Sequence, residues 1–133
     1  MPASPHPCCC SPRLRPPSRK SAPDDCGNAQ TQLEINDCVA RDYDRADAEL
    51  NAVWKKAIAE MKSIDADLPP EQSGAADALL KSQRAWIAYR DGQCEAAGFQ
   101  FVGGSIRGST VGGCLADLTR KRTAELQTFL ETN

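Results

Sequence analysis

From Gln32 to about Ser63 the chain contains neither Gly nor Pro, and Ile35, Val39, Tyr43, Ala46, Leu50, Val53, Ala57 and Met61 recur every three or four residues. Asp37, Asp44, Asp47, Lys55 and Lys62 fall between them. The pattern predicts one long helix with a single stripe turned to a core. Thr31 with Glu34 three residues on is a capping-box pair, which marks where that helix starts. Residues 65–74, DADLPPEQSG, interrupt the period with Pro69, Pro70 and Gly74 and predict the turn of a helical hairpin. A second helix is predicted from about Ala75 to Ala97. Leu79, Gln83, Trp86, Arg90 and Cys94 share one side, with Leu80, Ile87 and Asp91 beside them, so the inward face mixes bulk and polarity.

Periodicity then stops. Residues 98–113, GFQFVGGSIRGSTVGG, hold six of the nine glycines and predict a loop or a short Gly-broken ribbon. A third helix is predicted from about Cys114 to Leu130, with Leu115, Leu118, Arg122, Leu126 and Phe129 in step. The fold class is all-α: a long helical hairpin plus a third helix, without an internal repeat.

Residues 1–25 read differently. They carry seven of the nine prolines and almost no large apolar residue, so nothing offsets the entropy of ordering them. The expectation is a disordered Pro/Arg-rich tail (1–25) followed by a helical domain (26–133). The tail has four Arg or Lys against two Asp, whereas residues 26–133 have twelve basic against sixteen acidic residues, net −4. An acidic folded part argues against nucleic acid, which needs clustered Lys and Arg. A basic protein partner fits the sign.

Cys26, Cys38, Cys94 and Cys114 give the folded part an even number of cysteines, which suggests two disulfides and an oxidising compartment. A four-thiolate zinc site is the competing reading, but such sites usually build each half from cysteines two to four residues apart. Here eleven residues separate the first two and nineteen the last two. Disulfides are therefore preferred, and neither metal nor cofactor is expected. The compartment argument conflicts with the start of the chain, because no apolar run of signal-peptide length precedes Cys26 and the tripled Cys8, Cys9 and Cys10 sit in Pro-rich sequence. A wrongly chosen translation start would reconcile the tail with the expected periplasmic or secreted location. No transmembrane span is expected.

Catalytic chemistry is poorly supplied. His6, the only histidine, lies in the tail, so no His-assisted nucleophile can be assembled in the folded part. Asp42, Asp44, Asp47 and Glu49 offer paired carboxylates, but such a run is usually a solvated face. GGSIRGST lacks the order of a phosphate loop. The stretch SQRAWIAYRDGQC, residues 82–94, is read as structural: Trp86 and Tyr89 as core and rim packing, Arg90 and Asp91 as ties to other elements. Adjacent residues point apart on a helix, so Arg90 is expected to pair with an Asp of the first helix rather than with Asp91.

Taken in order, CGNAQTQLEINDC, ADAELNAVWKKAI, SQRAWIAYRDGQC, GGS and CLADLTRKRTAEL, with these four cysteines, resemble the LprI-like lysozyme-inhibitor family of bacterial envelope proteins. The resemblance covers about residues 26–130. It implies a small exported helical domain that contains disulfides and binds lysozyme without catalysis. An envelope helical module that binds another protein is the alternative, and a small hydrolase using carboxylates of the first helix a third class. Within the inhibitor reading, the glycine-rich segment presents Ser105, Arg107, Ser109 and Thr110 to the partner, since contact residues concentrate on loops held by a rigid scaffold. Four cysteines allow three pairings. Cys26 with Cys38 and Cys94 with Cys114 is favoured, because the second pair closes the glycine-rich segment.

Overall fold

The computed structural model describes residues 26–131, and the expected tail 1–25 lies outside the described residues. Three helices carry the chain: α1 (Gln32–Asp67), α2 (Ala75–Gly98) and α3 (Arg107–Glu131). Single 3-10 turns stand at Cys26–Asn28, Pro70–Gln72 and Phe99–Phe101. No strand occurs among the described residues, as the all-α reading requires.

The capping box forms at the start of α1. The Glu34 backbone N–H donates to Thr31 Oγ1 at 3.1 Å, and the Thr31 N–H faces Glu34 Oε2 at 3.4 Å. α1 runs four residues past its expected end near Ser63, to Asp67, and Leu68 ends it in extended conformation ahead of Pro69, as expected of a residue before proline. The start of α2 is capped from another helix. Asp65 accepts the backbone N–H groups of Gly74, Ala75 and Ala76 at 2.8, 2.8 and 3.0 Å, three of the donors a helix start leaves without an intrahelical partner. These bonds hold the Asp65 carboxyl below its ordinary pKa, the Ala76 N–H first among them.

α1 makes its most extensive contact with α3, and α2 closes the third side. The core is narrow: Leu50, Ala57, Met61, Leu79 and Leu126 are buried, with Val53, Trp54, Ile58, Trp86 and Phe129 packed around them. The predicted stripes of α1 and α2 supply most of these residues. In α3 the buried line is Ala116, Thr119, Arg122, Thr123 and Leu126, while Leu115, Leu118 and Phe129 are half-buried at its flanks.

The largest departure from expectation is the start of α3, seven residues before Cys114. Gly108, Gly112 and Gly113 lie inside a helix rather than in a loop. Glycine disfavours helix by about 1 kcal/mol per residue relative to alanine, but close packing here requires its missing side chain. A Cβ on Gly112 would stand 2.7 Å from Val39 Cγ1 of α1, and one on Gly98 would stand 2.6 Å from Val111 Cγ2. The true connection is short, residues 102–106 after the 3-10 turn, and Gly103 takes a positive φ of 79° within it.

Candidate functional site: the disulfide pole

Cys26 is bonded to Cys38 and Cys94 to Cys114, with Sγ–Sγ distances of 2.05 and 2.09 Å. All four cysteines among the described residues thus stand in two disulfides, the reading preferred over a four-thiolate zinc site. The first bond holds the Cys26–Asn28 turn against the start of α1. The second joins the end of α2 to α3 across the connecting segment. Closing a loop of about 20 residues in this way stabilises by about 3 kcal/mol in the chain-entropy model. Among the described residues no three His, Cys, Asp or Glu side chains gather as metal ligands do.

Polar side chains lock the start of α3. The Ser109 and Thr110 hydroxyls both donate to the Ile106 carbonyl at 3.0 Å. Gln32 Nε2 of α1 donates to Ser109 Oγ at 3.3 Å and to Asn36 Oδ1 at 2.8 Å, and the Asn36 amide lies against Gly108. Of the four residues expected to face a partner, Ser109 and Thr110 are therefore half-buried and engaged within the protein. Ser105 is exposed in the connection. Arg107 opens α3 half-buried, its guanidinium 5.1 Å from the centre of the Phe99 ring.

What the connection exposes is apolar. Phe99, Phe101, Val102 and Ile106 are 56, 38, 63 and 42% exposed. Successive turns shape the short segment that carries them, termed the crest below: Val102 N–H donates to Phe99 O, Gly104 N–H to Phe101 O and Arg107 N–H to Gly104 O. The carboxylates of this pole are Glu34, Asp37 and Glu95, all exposed, against the single cation Arg107 in residues 26–40 and 92–114. Sequence reasoning assigned the four apolar residues no role. Their signal was bulk in a segment too glycine-rich to bury it.

The stretch 82–94 is largely hardware, with two corrections. Trp86 is half-buried against the core, but Tyr89 is 56% exposed. Tyr89 sits one residue short of the buried line Gln83, Arg90, Cys94, so it turns outward instead of packing at the rim. Arg90 is buried and does pair with its neighbour, Nε donating to Asp91 Oδ1 at 3.0 Å. Its long arm bends back far enough to overcome the divergence of adjacent Cβ atoms. Helix α1 meets this guanidinium through a ring: Arg90 lies 5.0 Å from the centre of Trp86 and 5.7 Å from that of Tyr43. Burial raises the Tyr43 pKa, with the Arg90 charge working against the shift.

Asp42 of α1 binds an arginine of α3, accepting from Arg120 Nη1 at 2.9 Å and from Nη2 as well. The bond to Asp42 keeps the Arg120 guanidinium more firmly protonated than usual. Buried Arg122 joins α3 to α2 by donating to Gln83 Oε1 and Ser82 Oγ, each at 2.9 Å. These ties fix how the three helices meet behind the crest, and none resembles a catalytic constellation.

The family model described as "Lysozyme inhibitor LprI" matches residues 23–126, spanning both disulfides and the crest. The chain belongs to the lysozyme inhibitor LprI family. Among relatives, uncharacterized protein R02472 of Rhizobium meliloti (strain 1021) is 46% identical over 127 residues, 93% of this chain and 89% of that protein. Uncharacterized protein YecT of Escherichia coli (strain K12) is 27% identical over 100 residues, 71% of this chain and 62% of that protein. No solved structure matches. Membership of the LprI family agrees with the resemblance drawn from the cysteine and helix motifs, and no described helix is long and apolar enough to cross a membrane.

Proposed function

We propose that the protein is a non-enzymatic inhibitor that binds lysozyme in the bacterial envelope. The observation that carries this reading is the LprI family match, which embraces the whole disulfide pole. Fold and charge are consistent with it. Two disulfides suit a periplasmic or secreted location, and an excess of carboxylates steers a protein toward a cationic partner. Lysozyme hydrolyses its substrate between two carboxyl groups in a cleft. In this reading Arg107 and Ser105 supply polar contacts to that cleft, whereas Ser109 and Thr110 shape the turn that presents them.

A second reading is an envelope helical module that binds a different protein. It is favoured by the crest itself, whose apolar side chains suit many partners. Titration of lysozyme activity with the oxidised, folded protein separates the two. The inhibitor reading expects activity to fall to a plateau at one inhibitor per enzyme, with weaker inhibition at high salt. Undiminished activity at a large excess of inhibitor leaves the second reading.

A further inference from the structure

We infer that the crest of Phe99, Phe101, Val102 and Ile106 is the element that enters the saccharide-binding cleft of a basic lysozyme, making inhibition competitive with the wall substrate. The inference rests on the inhibitor reading above and adds the contact surface and the mode of action. Three features of the molecule carry it.

The first is exposure without a folding purpose. The chain has only three phenylalanines, and two of them stand in the crest while the core is filled largely by Leu, Ala and Met. Clustered exposed bulk of this kind marks an interaction site. The second is preorganisation. The Cys94–Cys114 bond closes the segment, three consecutive backbone bonds fold it, and Arg107 covers the Phe99 ring. An element already held in shape loses little entropy on binding. The third is charge. Exposed Glu34 and Asp37 near the start of α1 and Glu95 near the end of α2 lie on the elements that the two disulfides join, and Arg107 is the one cation in residues 26–40 and 92–114. That arrangement repels a second copy of the chain and attracts a basic protein.

The opposite pole has no comparable claim. A shallow apolar pocket of about 260 Å³ opens there between Met61, Leu79 and Phe129, but its lining carries no charge that would select a partner. Ile64 and Leu68, toward the end of α1, are 37 and 36% exposed. Leu68 therefore serves as the control.

The test is steady-state lysozyme kinetics at several inhibitor concentrations, with the wild type, the pair Phe101→Ser/Val102→Ser, and Leu68→Ser, alongside thermal melts and sedimentation. Wild type and Leu68→Ser should raise the apparent KM and leave kcat unchanged. The crest pair should raise the inhibition constant at least about 30-fold, the scale of a lost hot spot, without loss of folding. Should the pair unfold, Val102→Ser alone, at the most exposed of the four positions, should still weaken inhibition about 5-fold, within the range of ordinary interface truncations. A crest variant that inhibits as the wild type does overturns the inference and spares the inhibitor reading, and so does a fall in kcat at constant KM. A wild-type dimer that the crest variant dissociates assigns the crest to a second copy and overturns it. A wild type that never inhibits removes both.

Discussion

Two adjacent glycines of α3 should respond in opposite directions to the same substitution. Gly113→Ala places a methyl group where nothing lies within 4 Å, so only the backbone preference acts, and the helix should gain about 0.5–1 kcal/mol. Gly112→Ala receives the same gain, but its methyl group would lie 2.7 Å from Val39 Cγ1. Val39 cannot swing aside easily, because a β-branched side chain in a helix keeps essentially one rotamer. α1 and α3 must part instead, and overpacking of this kind costs about 1–3 kcal/mol. The two variants should therefore differ by about 2 kcal/mol, which separates their melting temperatures by about 8 °C in a domain of this size. Thermal melts with the disulfides intact read the difference. Val39→Ala added to Gly112→Ala should recover part of the loss, a coupling that independent sites do not show. Melting within about 2 °C of each other would refute the argument that α3 needs Gly112 for contact with α1.

Asp65→Asn should destabilise the start of α2 and flatten the acid limb of stability. The folded-state pKa of Asp65 is depressed, so its contribution is complete above the unfolded value of about 4 and fades as pH falls through the lower folded value. Melting curves of wild type and variant that stay parallel from neutral pH down to about pH 2 would contradict this. Thr119 is fully buried, and its Oγ1 finds no hydrogen-bond partner among the described residues. Thr119→Val should thus be neutral or stabilise by up to about 1 kcal/mol in urea titrations, and a loss above 1 kcal/mol would mean that the hydroxyl is satisfied. Trp86→Ala removes the ring that packs on the core and stacks with Arg90. It should cost about 3 kcal/mol, the low end for a large aromatic because the site is only half-buried. A loss under about 1 kcal/mol would place Trp86 outside the core.

Much of the fold was legible because its signals are local. The Thr31–Glu34 pair, the Pro69–Pro70 interruption and the stripe from Ala46 to Met61 each act within a few residues, and each appears where expected. The pairing favoured because Cys94–Cys114 closes the glycine-rich segment is also the one observed. The start of α3 was not legible, because glycine propensity reports the isolated backbone, whereas α1 packing against Gly112 and the bond from Cys114 to Cys94 are tertiary effects. Asp65 escaped notice for a related reason: a cap supplied from ten residues away leaves no local pattern. Arg90 was assigned the wrong partner because helical spacing describes Cβ directions and not the reach of a long side chain. At the site, attention went to Ser105, Arg107, Ser109 and Thr110 for their polarity, yet two of these hydroxyls are spent on Ile106. The exposed bulk of Phe99, Phe101, Val102 and Ile106 became visible only when the three helices were in place and left it outside.

Hydrogen exchange of the oxidised protein, alone and mixed with a basic lysozyme, tests most directly whether the disulfide pole is an inhibitory surface. The amides of residues 99–106 lie in short turns at the surface and should exchange quickly in the free protein. In the mixture they should slow together with the first turns of α1 and α3, while Leu68 and the Pro70–Gln72 turn at the other end stay unchanged. Protection confined to that far end, or no protection anywhere at saturating lysozyme, would contradict the proposed function and the surface assigned to it.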